Sequence, residues 1–91
     1  MLIRSQNKQN LINMDTINTI YCSGVNSSNI YAESSSGDVL LGVYLTNEKA
    51  LKVLDMIEAR SNEPIYINDE GNGEYAKYFH SSFQMPQDDE V

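Results

Sequence analysis

The sequence predicts an α+β fold, a small, strongly curved antiparallel sheet of about five strands with one helix packed on it. Three observations carry this expectation. From Leu2 to Tyr44, short segments rich in β-branched and aromatic residues alternate in polarity, as half-buried strands do. Clusters of Gly, Ser and Asn separate them and turn the chain. From Asn47 to Ala59 the period changes, and apolar residues recur three and four positions apart.

Leu2–Gln6 alternates and is the first expected strand, with Asn7-Lys8-Gln9 as the hairpin connection to a second strand at Leu11–Met14. Asp15 and Thr16 interrupt the pattern, and Ile17–Cys22 resumes it. Ser23–Ser28 is a loop by composition. Ile30–Ser34 alternates again, and Ser35-Ser36-Gly37-Asp38 is a hairpin signal. Val39–Tyr44 carries apolar bulk at both parities, which predicts a central strand buried on both faces.

Thr46 or Asn47 can cap the helix, and Glu48 complements the positive end of its dipole. Ala50, Leu51, Val53, Leu54 and Ile57 fall within an arc of about 160 degrees and form the expected core face. Met56 lies off that arc, where an apolar side chain suits a contact with a second molecule. Beyond Arg60, Pro64–Ile67 reads as a short edge strand and Asp69–Gly73 as a loose turn. Glu74–His80 fits strand and helix equally, while Ser82–Met85 can close the sheet before Pro86 ends it. Residues 1–86 are thus expected to form one α+β domain, with 87–91 a frayed acidic end.

The 91 residues suffice for a single core, and apolar runs such as Val39–Leu41 fall far short of the roughly 20 residues a membrane-spanning helix needs. The opening residues show no basic segment followed by an apolar one, and Cys22 has no second cysteine to pair with. A cytoplasmic location is the expectation. The formal charge of −7 repels phosphate backbones at long range, which argues against general nucleic-acid binding. A small phosphorylated ligand is a different case, because one or two arginines in a pocket outweigh a distant field.

Catalytic and metal constellations are sparse. His80 is the single histidine, so a zinc site of ordinary composition cannot be completed, and a triad would have to use this residue alone. With Asn68 at the first position of a calcium loop, Phe79 falls where a bidentate glutamate is required. Phosphate-binding glycine motifs are absent, and no cofactor is implied. The polar set with most chemical promise is Arg4, Gln6, Asn7 and Lys8 in the first hairpin, joined by Arg60 at the helix end and by Tyr44, Tyr66, Tyr75 and Tyr78. Arg4, Gln6, Lys8, Tyr44, Arg60 and Tyr78 are the expected ligand-binding residues. Arginine offers a planar donor fork and tyrosine a flat ring with a polar tip, a combination suited to a phosphate- or base-bearing ligand or to a protein contact.

The opening Met1-Leu2-Ile3-Arg4-Ser5-Gln6-Asn7-Lys8, the Leu41-Gly42-Val43-Tyr44 strand running into Asn47–Ile57, and the closing Phe83-Gln84-Met85-Pro86 resemble a set of small proteins of clostridial and bacillar phages, prophages and integrated elements. The resemblance implies no activity, substrate or catalytic residue. It does imply a setting, in which small acidic proteins act on a host by occluding a protein or sequestering a signalling molecule.

The expected function is therefore non-enzymatic binding by a phage or mobile-element protein. Two versions are open: masking of a host protein, or capture of a small nucleotide signal of host defence between the protomers of a homo-oligomer, with Arg4, Lys8 or Arg60 on phosphate and a tyrosine on the base. The alternatives are a structural or regulatory adaptor of the element and a small enzyme centred on His80. No membrane contact is expected.

Overall fold

The computed structural model describes residues 1–62 and 82–91, together with the backbone of residues 65–69 and 74–78. In chain order the elements are β1 (Leu2–Arg4), β2 (Leu11–Asn13), β3 (Thr19–Ser23), β4 (Asn29–Ser34), β5 (Gly37–Val43), α1 (Asn47–Ser61), β6 (Ile65–Asp69), β7 (Glu74–Tyr78) and β8 (Ser82–Gln84). Short 3-10 turns cover Met14–Thr16, Val25–Ser27 and Asp88–Glu90.

The strands do not make one curved sheet. They form a three-stranded sheet in the order β2-β1-β8, a second in the order β3-β4-β5, and a separate β6-β7 ladder. Neither three-stranded sheet closes or curls strongly, and the first is mixed, because β8 runs parallel to β1 with Phe83 opposite Ile3. One local cause and one long-range pairing overturn the single antiparallel sheet. The Asn13 side chain accepts from the Asp15 N–H at 3.0 Å and starts the 3-10 turn at Met14, which swings the chain out of β2 before β3 begins. The edge of β1 away from β2 is then taken by β8, from the far end of the chain.

β5 is the edge of the second sheet, not its centre. Its apolar residues at both parities have another origin, a bulge at which Tyr31 faces Leu40 while Ile30 faces Gly42. Leu41 is the extra residue and is buried, so the inward phase resets and Val43 points out, 50% exposed. The Leu41 carbonyl accepts from the Gln6 N–H at 2.7 Å, and the two sheets meet there.

The helix begins where its cap places it: Thr46 Oγ1 accepts from the Lys49 N–H at 3.1 Å. Ala50, Val53 and Ile57 are buried and Leu54 packs beside them, whereas Leu51, at the margin of the apolar arc, stays 48% exposed. These helix residues join Ile3, Ile30, Ala32, Leu41, Tyr44 and Met85 in one core, so strands from both sheets and the tail share it. Residues 87–91 are held rather than frayed. Gln87 and Glu90 form a capping box around the last 3-10 turn, Asp88 takes hydrogen bonds from α1 and its approach, and Val91 packs on the core.

Candidate functional site

The polar set picked out from the sequence divides. Gln6 and Tyr44 come together, around one atom: Gln6 Nε2 and Tyr44 OH both donate to the Pro86 carbonyl, at 3.2 and 2.8 Å. Gln6 also bonds both main-chain groups of Val43, and the Tyr44 ring is buried against Gly42. These two residues hold the sheets and the tail together. Burial pushes the Tyr44 phenol well above its ordinary value, with Asp88 and Glu90 adding to the effect.

Arg4 lies exposed on the outer face of the first sheet, and its Nη1 donates to the Lys8 carbonyl at 3.2 Å. Lys8 sits in the turn with a left-handed φ of 66° and an exposed side chain. Arg60, in the last turn of α1, donates from Nε to the Ser82 carbonyl at 3.2 Å. Arg4 is in register with Gln84, so the two arginines flank β8 from opposite sides. Arg4 and Arg60 line separate depressions beside β8, and Lys8 lines neither, so the three cations are not gathered into one site. Tyr78 belongs to β7, and its side chain, with those of Tyr66 and Tyr75, falls outside the described residues, as does His80. Cys22 is half-buried, and burial raises its thiol pKa, which disfavours the thiolate.

The most developed surface feature lies elsewhere. Ile20 and Cys22 of β3 and Ile30 and Ala32 of β4 turn toward the core, so the strand pleat sends Tyr21, Tyr31 and Glu33 to the outer face of the second sheet. Tyr21 is in register with Tyr31 and Tyr31 with Leu40; Thr19 is in register with Glu33 and Glu33 with Asp38. The two tyrosine rings stack, with centroids 5.7 Å apart and planes 22° from parallel. Tyr21 OH donates to Asp38 Oδ2 at 2.7 Å. That hydrogen bond is the main reason the Tyr21 phenol is pushed up to about 12, with desolvation and the charges of Asp38 and Glu33 adding to it.

Leu40, 43% exposed, and Val43 extend the apolar part of this face. The register positions that build it carry two carboxylates and no cation. Asp38 is held by the Tyr21 hydroxyl, and among the described residues no cation is seen to pair with Glu33 or Asp38. Sequence reasoning passed over Tyr21 and Tyr31, yet the signal was present. Each stands at the polar parity of a strand whose other parity is aliphatic, Ile20/Cys22 and Ile30/Ala32.

No protein-family model, curated protein or solved structure matches the chain. Among the described residues, no helix is long and apolar enough to cross a membrane, and no group of three metal-binding side chains converges.

Proposed function

We propose that this chain is a non-enzymatic binding protein that masks a basic segment of a partner protein on the outer face of its second sheet. The observation that carries the reading is the stacked Tyr21–Tyr31 pair flanked by Asp38 and Glu33, with no cation among the described residues of that face to neutralise them. A stacked tyrosine pair offers a rigid flat surface to an arginine or lysine head, worth roughly 0.5–1 kcal/mol at an exposed site. Glu33 supplies a charge, and Leu40 and Val43 accept the aliphatic stems that basic side chains carry. The overall −7 draws such a partner in by long-range attraction and raises its association rate. The resemblance to phage and mobile-element proteins supports a host protein as that partner.

Calorimetric titration with an arginine- and lysine-rich peptide and with a glutamate-rich one of equal length tests the reading. The basic peptide is expected to bind, to weaken steeply with added salt, and to lose about tenfold in affinity with Tyr31→Ala or Glu33→Gln. Equal binding of both peptides, or indifference to both substitutions, would refute it.

A further inference from the structure

Among the described residues β3 has one strand neighbour. β4 pairs along one side of it from Thr19 to Ser23, and among the described residues no strand pairs along the other. Alternate peptide groups of a five-residue strand therefore point outward unmatched, a ready template for another chain. The inner side of that edge is not flat. A groove of about 380 Å³ opens there, with Met14, Ile17 and Ile20 on one wall, Leu54 and Ile57 on the other, and Glu58 beside them. Its walls come from β3, the segment before it and α1, with none from β4 or β5, so it opens at the edge of the sheet.

We infer that the free edge of β3 and this groove receive an extended segment of the partner as an added strand, its aliphatic side chains in the groove and its lysines or arginines on the outer face. An added strand lies about 4.8 Å from β3 and sends successive side chains to opposite faces. On the inner side they meet the apolar walls formed by Ile17, Ile20, Leu54 and Ile57. On the outer side they stand beside Thr19 and Tyr21, with Glu33 one strand further in on β4, within reach of a long lysine or arginine side chain. The two faces thus ask for alternating chemistry, apolar and cationic, and Glu58 beside the groove strengthens the demand for positive charge. This inference rests on the basic-partner reading and adds the edge, the groove and the alternation to it.

Three short peptides test it on the intact chain: an alternating lysine–valine peptide, a peptide of the same composition with valines and lysines in separate blocks, and the alternating peptide N-methylated at every amide. The alternating peptide is expected to slow hydrogen exchange at amides within Thr19–Ser23. It is also expected to bind about tenfold tighter than the N-methylated form, which cannot complete the ladder. Equal affinity of those two peptides would overturn strand addition. If Tyr31→Ala still weakened all three, the basic-partner reading would survive that failure. Measurable binding by none of the three would remove the reading and the inference together.

Discussion

The side-chain amide of Gln6 pairs with both main-chain groups of Val43: Oε1 accepts from the Val43 N–H at 2.9 Å, and Nε2 donates to the Val43 carbonyl at 3.1 Å. A glutamine amide has the donor and acceptor of a peptide unit, and here it completes the edge of β5 where the first sheet meets the second. Gln6→Ala is expected to lower unfolding stability by about 1–3 kcal/mol, since several hydrogen bonds go and the sheets lose their shared seam. Gln6→Glu keeps the acceptor but sets a carboxylate against the Val43 and Pro86 carbonyls, so it should do no better at neutral pH. Urea unfolding with an unchanged denaturant slope checks both.

Tyr44 explains Gly42. A Cβ at position 42 would lie 2.9 Å from Tyr44 Cε2 and 3.0 Å from its hydroxyl oxygen, and that hydroxyl is tied to the Pro86 carbonyl. The ring cannot move aside without breaking the bond, so Gly42→Ala is expected to cost about 1–3 kcal/mol by overpacking. In a Tyr44→Phe background the ring is free to slide, and the same substitution should cost less. A double-mutant cycle by thermal or urea unfolding measures the difference, and a coupling of zero would place the strain elsewhere.

How much of this was legible beforehand depended on the range of the cause. Local causes were visible. Ala50, Val53 and Ile57 announce the buried helix face by their spacing, and Thr46 announces the cap. The sheet organisation was not, because it turns on contacts distant in sequence: β8 beside β1, and Gln6 beside Val43. Periodicity cannot report a bulge, so Leu41 and Val43 seemed to share a face that the register at Ile30/Tyr31 separates. Of the residues proposed for ligand binding, polarity alone could not tell Gln6, engaged in the fold, from Arg4, exposed on its surface.

Tyr21 supplies a spectroscopic test of the outer face. Its phenol is held up to about 12, first by the hydrogen bond to Asp38, so within the fold it ionises later than an ordinary tyrosine near 10. The stabilisation this brings is complete below the unfolded value near 10 and is lost as pH rises from there through about 12. Ultraviolet titration should show Tyr21 ionising late, with the buried Tyr44 later still, and Asp38→Asn should move the Tyr21 component alone back toward 10. An unchanged titration curve in that variant would mean the contact is not formed in solution.

Asp88 ties the tail to the helix, and its pH dependence runs the opposite way. The Leu45 N–H donates to Oδ1 at 2.8 Å, and Lys49 Nζ lies 3.0 Å from Oδ2 and 2.9 Å from the Asp88 carbonyl. The hydrogen bond from Leu45 is the largest cause of a lowered pKa, with Lys49 next. A carboxyl whose folded pKa lies below its unfolded value stabilises the fold fully at neutral pH, and that contribution disappears as pH falls through the lowered value. Asp88→Asn should therefore lower the melting temperature at neutral pH and flatten the acid limb of the stability curve. Asp88→Ala should be worse at neutral pH, because asparagine still offers an oxygen to the Leu45 N–H and alanine does not. Thermal melts of the three proteins from neutral pH down through the carboxylate range decide it, and parallel acid limbs in all three would show that Asp88 does not anchor the C-terminal turn.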